Sequence, residues 1–204
     1  AVVGRWVPAE GQALFTKVRE ALGYPSDLPF IAEDLGVITD DVVALRDAFA
    51  LPGLRIFQFA FGNDPQSTSF EPRNYVPNCV AYTGTHDNDT VMGWFQAQAG
   101  ENDTRTHADI ERERARVLAF FRAQDGHNLH RRFVECLLTS AAGAVLFPIQ
   151  DILGLGSSSR MNVPGRPEGN WRYRLRWEHV TSAVVDWLSA ATVGSGRAGD
   201  LVLR

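Results

Sequence analysis

The chain has 204 residues, 45% of them hydrophobic and 22% charged, and a formal net charge of −4. This length allows a full-sized core, and the slightly acidic balance argues against a nucleic-acid-binding surface, which would be clearly basic. The two cysteines, Cys79 and Cys136, are too few for a disulfide framework and lack the paired short spacing of a zinc site. Because the sequence shows neither a membrane span nor a signal peptide, we expect no membrane partner and a cytoplasmic location.

Helical patterns and short apolar runs alternate along the chain. Amphipathic periodicity predicts helices over 9–22, 40–49, about 90–99, 107–124, 128–142 and 178–191. Apolar composition predicts strands over 28–32, 54–61, 79–85 and 144–150. Apolar strands that alternate with helices indicate an α/β fold with a parallel sheet covered by helices. Four strands of this kind form either a small open sheet or half of an eight-stranded barrel.

Polar side chains follow three of the predicted strands, at the ends where both architectures place their chemistry. These clusters are Glu33-Asp34, His86-Asp87-Asn88-Asp89 and Gln150-Asp151. A pair of loop acids is more often solvated or used as a helix cap. However, the apolar run before Glu33 offers no polar neighbours, so partial desolvation would raise its pKa towards that of a general acid.

The segment "THDND" has a simpler interpretation as a turn that caps the next helix, and this interpretation accounts well for Asn88 and Asp89. It accounts less well for His86 and Asp87, which follow the strand directly. A metal site is the competing functional interpretation. We predict no metal, because no second histidine lies at a ligand spacing and no HExxH motif occurs.

The Gly-rich loop 154–170, "GLGSSSRMNVPGRPEGN", fits neither common phosphate-binding motif, and we interpret it as a shaped loop. Aromatic residues that can stack on a sugar lie near the predicted strand ends: Phe59, Phe61, Trp94 and Trp171. Core packing explains most such residues, and of the four we assign Phe59 to substrate binding. Two carboxylates at a strand-end rim, with little basic charge, suit the hydrolysis or transfer of glycosidic bonds.

Four sequence blocks carry a specific resemblance: "PFIAEDLGVIT", "IFQFAFG", "NYVPNCVAYTGTHDNDTVMGWF" and "PIQDILGLGSSSRMNVPGRPEGNWRYRL". In this order they closely resemble the amylomaltases, the 4-α-glucanotransferases of glycoside hydrolase family 77, from about residue 4 to residue 176. The resemblance implies a (β/α)₈ barrel that acts on maltooligosaccharides and α-1,4-glucans by a retaining double displacement, without a cofactor.

The resemblance also implies roles for individual residues. Glu33 in "AEDLG" matches the general acid/base, and Asp87 in "GTHDND" matches the carboxylate that stabilises the transition state. His86 matches the histidine that hydrogen-bonds the same sugar ring. Asp34 matches no catalytic residue, and we expect it to orient the loop or its neighbours.

The departures from the family pattern indicate a partial enzyme. No acid before Glu33 matches the family's nucleophilic aspartate, so we expect strands five to eight of the barrel in residues 1–191, without the N-terminal half. The chain lacks an initiator Met, which fits this expectation, and residues 192–204 form a tail without a motif. Ser157-Ser158-Ser159 stands where "SEA" is usual, and Arg73 stands where histidine is common.

Two alternatives to a glucanotransferase stay open at this point. The first is a hydrolase of the same clan, since acceptor preference depends on loops that one sequence cannot rank. The second is a non-catalytic remnant that binds glucan. We expect the 204 residues alone to be inactive, because the covalent step needs the nucleophile.

Overall fold

The computed structural model describes residues 4–5, 7–25, 27–100 and 105–199. The chain divides into two compact units, one up to Leu54 and the other from Arg55 onward. None of the described helices is both long and apolar enough to cross a membrane.

The first unit contains two helices, α1 (Gly11–Leu22) and α2 (Asp40–Ala48). Helix α1 ends at Gly23, whose φ of 68° is a left-handed conformation that glycine adopts without strain. The buried residues of this unit form a small cluster of Leu28, Phe49 and Leu51. Phe15 of α1 packs on Phe49 with ring centroids 5.3 Å apart, and this contact joins the helix to the cluster.

The second unit is built on a three-stranded sheet with the order β1-β2-β3. Strand β1 (Gly53–Ile56) begins at the end of the first unit and continues into the second. Strands β2 (Cys79–Tyr82) and β3 (Ala144–Leu146) pair in parallel, with Val80 opposite Ala144 and Tyr82 opposite Leu146. The helices of this unit are α3 (Val91–Gln96), α4 (His107–Phe121), α5 (Leu129–Leu138), α6 (Ile149–Ile152) and α7 (Ser182–Gly194).

Helix α5 buries residues in two clusters. Its fully buried Phe133 contacts Phe57 and Phe61, with ring centroids 4.6 Å and 5.7 Å apart. Its Val134 and Leu138 form a second cluster with Ile152 of α6. The apolar residues of α7 pack against this second cluster: Val184, Trp187, Leu188 and Ala191. The parallel β2–β3 pair and the surrounding helices confirm the α/β class.

The predicted strands are largely too long, and one is wrong. Over 28–32 only Ala32 makes a bridge, to Gly53, while Phe30 and Ile31 stay partly exposed. The run 54–61 changes conformation half-way: β1 ends at Ile56, and Phe57–Phe61 is a 3₁₀ helix. An apolar run predicts burial but not backbone conformation, and Phe57 and Phe61 are buried without belonging to a strand.

The remaining two strands are present but shorter than predicted. Strand β2 ends at Tyr82 and not at residue 85, and β3 ends at Leu146. The last two residues of the predicted run 144–150 instead begin helix α6, with Pro148 at its N-cap. The assignment of these strands to positions five to eight of a barrel stays a prediction.

Each of the six predicted helices is present. The boundaries shift by a few residues: α3 ends at Gln96, and α7 begins at Ser182 and continues to Gly194. Helix α4 begins with a capping box, in which Thr106 and Asp109 satisfy each other's backbone N–H groups. The division into a barrel part, 1–191, and a tail, 192–204, stays a prediction.

Candidate active site

The adjacent acids Glu33 and Asp34 lie in the first unit and have different environments. The Asp34 side chain is only 6% exposed. Its Oδ2 accepts a hydrogen bond from Arg46 Nη1 at 2.6 Å, and its Oδ1 accepts one from the backbone N–H of Leu54 at 2.7 Å. Asp34 therefore ties the loop to α2 and to β1, as expected of a residue that orients its neighbours.

Glu33 is exposed, so the partial desolvation that the sequence suggested is not present in the described structure. Its assignment as the general acid/base stays a prediction.

His86 and Asp87 project from the loop between β2 and α3. Asn88 shapes this loop, since its Oδ1 accepts hydrogen bonds from the N–H of Thr85 at 2.8 Å and from its hydroxyl at 2.9 Å. The sequence predicted that Asn88 helps to cap the next helix, but Asn88 bonds back to Thr85, and the N-cap of α3 is Thr90. This side-chain turn leaves about half of the His86 and Asp87 side chains exposed, with His86 Nε2 3.4 Å from Asp87 Oδ1.

A second loop, within 154–171, holds Asp87 in place. Asn162 Nδ2 donates a hydrogen bond to Asp87 Oδ1 at 2.6 Å. Arg160 donates from Nη2 to the backbone carbonyl of Asp87 at 2.7 Å and from Nε to the carbonyl of Asn162 at 2.7 Å. One guanidinium thus joins the two loops, and the orientation of the Asp87 carboxylate is fixed by the Asn162 amide.

Trp171 completes the exposed surface beside His86. The indole is 55% exposed, and its ring centroid lies 5.2 Å from that of His86. The residue has a φ of 62°, which is unusual for a bulky side chain. Its backbone N–H donates to the carbonyl of Met161 at 2.8 Å. An exposed aromatic face beside a carboxylate and an amide offers both stacking and hydrogen bonds to a sugar.

Asp89 belongs to the support of the loop. Its Oδ1 accepts from the N–H of Thr90 at 2.7 Å, and its Oδ2 accepts from the hydroxyl of Ser157 at 2.6 Å. Its carbonyl accepts from Gln58 Nε2 at 2.9 Å. The cap of α3 is the next residue, Thr90, whose hydroxyl accepts from the N–H of Gly93 at 3.0 Å.

Asp151 lies below the same loop and is 1% exposed. Burial raises the pKa of this carboxyl to about 6, and the nearby charge of Asp89 acts in the same direction. Hydrogen bonds from Thr83 and Val91 oppose this shift of the pKa. The sequence marked Asp151 as a polar residue at a strand end but assigned it no role.

Phe59 lies in the 3₁₀ helix that follows β1 and is partly exposed. Its ring packs edge-on against Phe70 with centroids 5.3 Å apart. This packing leaves part of the ring available, and its role in substrate binding stays a prediction. Arg73, the other departure from the family pattern, pairs with Glu71 at 2.6 Å.

Asn162 and Arg160 are the site residues that sequence reasoning missed. Their contacts with Asp87 join positions 75 and 73 residues apart, and no local pattern announces such pairs. The signal that could have found them is the pair of polar residues in "RMN", inside a Gly-rich loop that follows a predicted strand. Among the described residues, no three His, Cys, Asp or Glu side chains cluster as a metal site would require.

Comparison with known proteins identifies the family of the chain. The model of glycoside hydrolase family 77, described as 4-alpha-glucanotransferase, matches residues 1–181. The chain belongs to this family. The 4-alpha-glucanotransferase of Thermus thermophilus is 45% identical over 182 residues, which are 86% of this chain and 33% of that protein. That of Synechocystis is 42% identical over 187 residues, 91% of this chain and 34% of that protein.

Solved amylomaltase structures share the fold of this chain. The amylomaltase of Streptococcus agalactiae, solved in complex with acarbose, superposes with a TM-score of 0.81 at 31% identity. The match covers 96% of this chain and 37% of that one. The amylomaltase of Corynebacterium glutamicum, with a TM-score of 0.56 at 15% identity, shares the fold over 79% of this chain and 28% of its own. The chain spans about a third of the length of the curated relatives it matches.

Proposed function

We propose that the chain is the C-terminal part of a cytoplasmic 4-α-glucanotransferase, an amylomaltase. The enzyme transfers a segment of an α-1,4-glucan to the 4-hydroxyl of glucose or of another glucan, with retention at the anomeric carbon. In this proposal the chain supplies strands five to eight of a (β/α)₈ barrel, and the N-terminal half completes the fold.

The observation that carries the proposal is the surface formed by His86, Asp87, Asn162 and Trp171. It presents a fixed carboxylate, an imidazole and an exposed indole together, in a chain that matches the family over residues 1–181. The complex of the Streptococcus agalactiae relative with acarbose supports a sugar as the ligand of this surface.

The proposed chemistry divides the work between two carboxyl groups. Glu33 must be protonated to donate to the leaving glycosidic oxygen, and it then removes a proton from the acceptor hydroxyl. Asp87 must be ionised to hold substrate hydroxyls and to favour the distorted sugar near the developing positive charge. His86 hydrogen-bonds the same ring.

The covalent step needs a nucleophile that has no counterpart before Glu33 in this sequence. Retaining geometry requires the two reacting carboxyl groups to lie about 5–5.5 Å apart. We therefore expect an aspartate of the N-terminal half to approach Glu33 at this distance. The first measurement is to determine the coding sequence upstream of Ala1 and to look for this aspartate in frame.

The decisive variant is Glu33→Gln in the parent protein, meaning the whole polypeptide encoded by the reading frame that contains this chain. The substitution keeps size and hydrogen bonding but removes proton transfer, so transfer from maltotriose should fall by about 10²–10⁴-fold. Glu20→Gln is the matched control, because Glu20 is also an exposed acid and lies on α1. The control should keep the wild-type rate.

The products from maltotriose separate the alternatives. Glucans longer than maltotriose indicate transfer, whereas glucose and maltose alone indicate a hydrolase of the same clan. Binding without turnover, unchanged by Glu33→Gln, indicates a non-catalytic remnant and contradicts the proposal.

A further inference from the structure

The segment 83–91 carries His86 and Asp87 and is anchored at both ends by one side chain. Its first residue, Thr83, follows β2, and its last, Val91, is the first residue of α3; both are fully buried. The Thr83 hydroxyl donates to Asp151 Oδ2 at 2.5 Å, and the Val91 N–H donates to Asp151 Oδ1 at 2.7 Å. The two oxygens of a single carboxyl group therefore hold the two ends of the segment.

Asp151 is itself held firmly. It lies in α6, and its backbone N–H donates to the carbonyl of Pro148 at 2.9 Å. The neighbouring Gln150 donates from Nε2 to the carbonyl of Ser159 at 3.1 Å, in the loop that reaches Asp87 from the other side. Helix α6 therefore contacts the segment 83–91 through Asp151 and the loop 154–171 through Gln150.

We propose that Asp151 is a positioning residue for glucan transfer, which sets the placement of His86 and Asp87 by fixing both ends of the segment 83–91. The inference rests on the proposed function, because that function assigns His86 and Asp87 to the sugar. Asp151 is buried and offers no exposed surface to a substrate, so its effect passes through the segment.

The burial of Asp151 is the physical reason to expect a specific role. Placing a carboxyl group in the interior is unfavourable unless its oxygens are satisfied, and an apolar residue would fill the same volume at lower cost. An apolar residue, however, accepts no hydrogen bond and would leave the Val91 N–H and the Thr83 hydroxyl without this partner. The acid is needed where two chain segments must be joined at a fixed distance.

The test compares three variants of the parent protein at a temperature at which circular dichroism shows each to be folded. Asp151→Ala removes both anchors. Asp151→Asn keeps them, because its amide oxygen accepts from Val91 and its amide nitrogen donates to the Thr83 hydroxyl. Val117→Ala removes buried volume from α4, in the core cluster that also contains Val91, but leaves both anchors in place and so controls for lost packing and stability alone.

The expected result is a loss of about 100-fold in kcat for Asp151→Ala, of the size that small displacements of catalytic groups produce. KM should change much less, Asp151→Asn should restore most of the activity, and Val117→Ala should keep kcat. Wild-type kcat in Asp151→Ala would overturn the inference, as would an equal loss in Val117→Ala or a failure of Asp151→Asn to restore activity.

Hydrogen exchange supplies a readout that does not depend on activity. The amide of Val91 should exchange faster in Asp151→Ala than in Asp151→Asn, because only alanine removes its acceptor. If Asp151→Ala does not fold, Thr83→Val replaces it, since this variant deletes one anchor with little change in volume and should give a smaller kcat loss. Wild-type kcat in Thr83→Val would then overturn the inference.

Failure of the proposed function gives a different result. A wild-type parent protein without transfer from maltotriose overturns both claims about glucan. An active wild type whose Asp151→Ala variant is equally active overturns only the inference about Asp151.

Discussion

Neighbouring residues in this chain take unrelated roles because the backbone directs their side chains differently. Asp34 is buried against Arg46 and the N–H of Leu54, while Glu33, one position earlier, is exposed. From the sequence, both acids are candidates for a catalytic residue. The hydrogen bonds of Asp34 explain its presence without a catalytic role.

Replacing Asp34 with alanine should destabilise the protein by about 2–4 kcal/mol, because the Arg46 charge and the Leu54 N–H lose a buried acceptor. Asp47→Ala is the matched control. Asp47 pairs with the same arginine at 2.7 Å but is 59% exposed, so its loss should change stability by about 0–1 kcal/mol. Urea denaturation measures both values. Equal losses would show that the burial of Asp34 has no energetic consequence.

The amphipathic helices were predicted well, because a repeat of 3.6 residues over two or more turns is a strong signal. Helices α1, α2 and α4 begin within two residues of their predicted starts. The strands were predicted less well, because they are only three or four residues long. In "LRIFQFAF" the apolar character continues past Ile56 into a 3₁₀ helix, and no residue in the run marks the change.

The start of β3 depends on a glycine. Gly143 donates its N–H to the carbonyl of Cys79 at 3.1 Å, and a Cβ at this position would collide with the backbone carbonyl of Pro77. Backbone atoms cannot move aside as a side chain can, so Gly143 permits β3 to approach β2 closely.

Gly143→Ala should therefore destabilise the protein by about 1–3 kcal/mol through overpacking. Gly156→Ala serves as the control, since a Cβ there meets open space and its φ of −87° is available to alanine. The control should leave the thermal midpoint unchanged or slightly higher. An unchanged midpoint for Gly143→Ala would mean that the strand shifts without loss.

For the molecule as a whole, the sequence predicted the α/β class and the strand-end loop with His86 and Asp87. It could not predict the supports of that loop, because Asp151, Asn162 and Arg160 act across 60 or more residues. A local pattern reports periodicity and turn chemistry, whereas these contacts depend on how the strands are ordered in the sheet.

The 204-residue chain should self-associate when it is produced alone. Strand β3 lies at one end of the sheet order, and its Leu146 is 48% exposed. An exposed apolar edge strand is a template for pairing with another chain, and lysine at such an edge opposes pairing. Sedimentation should show larger species for the wild-type chain and fewer for Leu146→Lys.

Val193→Lys is the control, because Val193 is exposed to a greater extent but lies on α7, away from the sheet. This variant should associate as the wild type does. A monodisperse wild-type chain that melts cooperatively would contradict the prediction.

The guanidinium of Arg160 has a consequence for engineering. It bonds to the carbonyls of Asp87 and Asn162 at once, so the loop 154–171 and the loop after β2 are two halves of one exchangeable module. A designer who transplants either loop alone from a relative with another product range would transfer side chains whose hydrogen-bond partners lie in the other loop. Recombination between relatives should place its crossovers outside residues 83–171, so that both halves travel together.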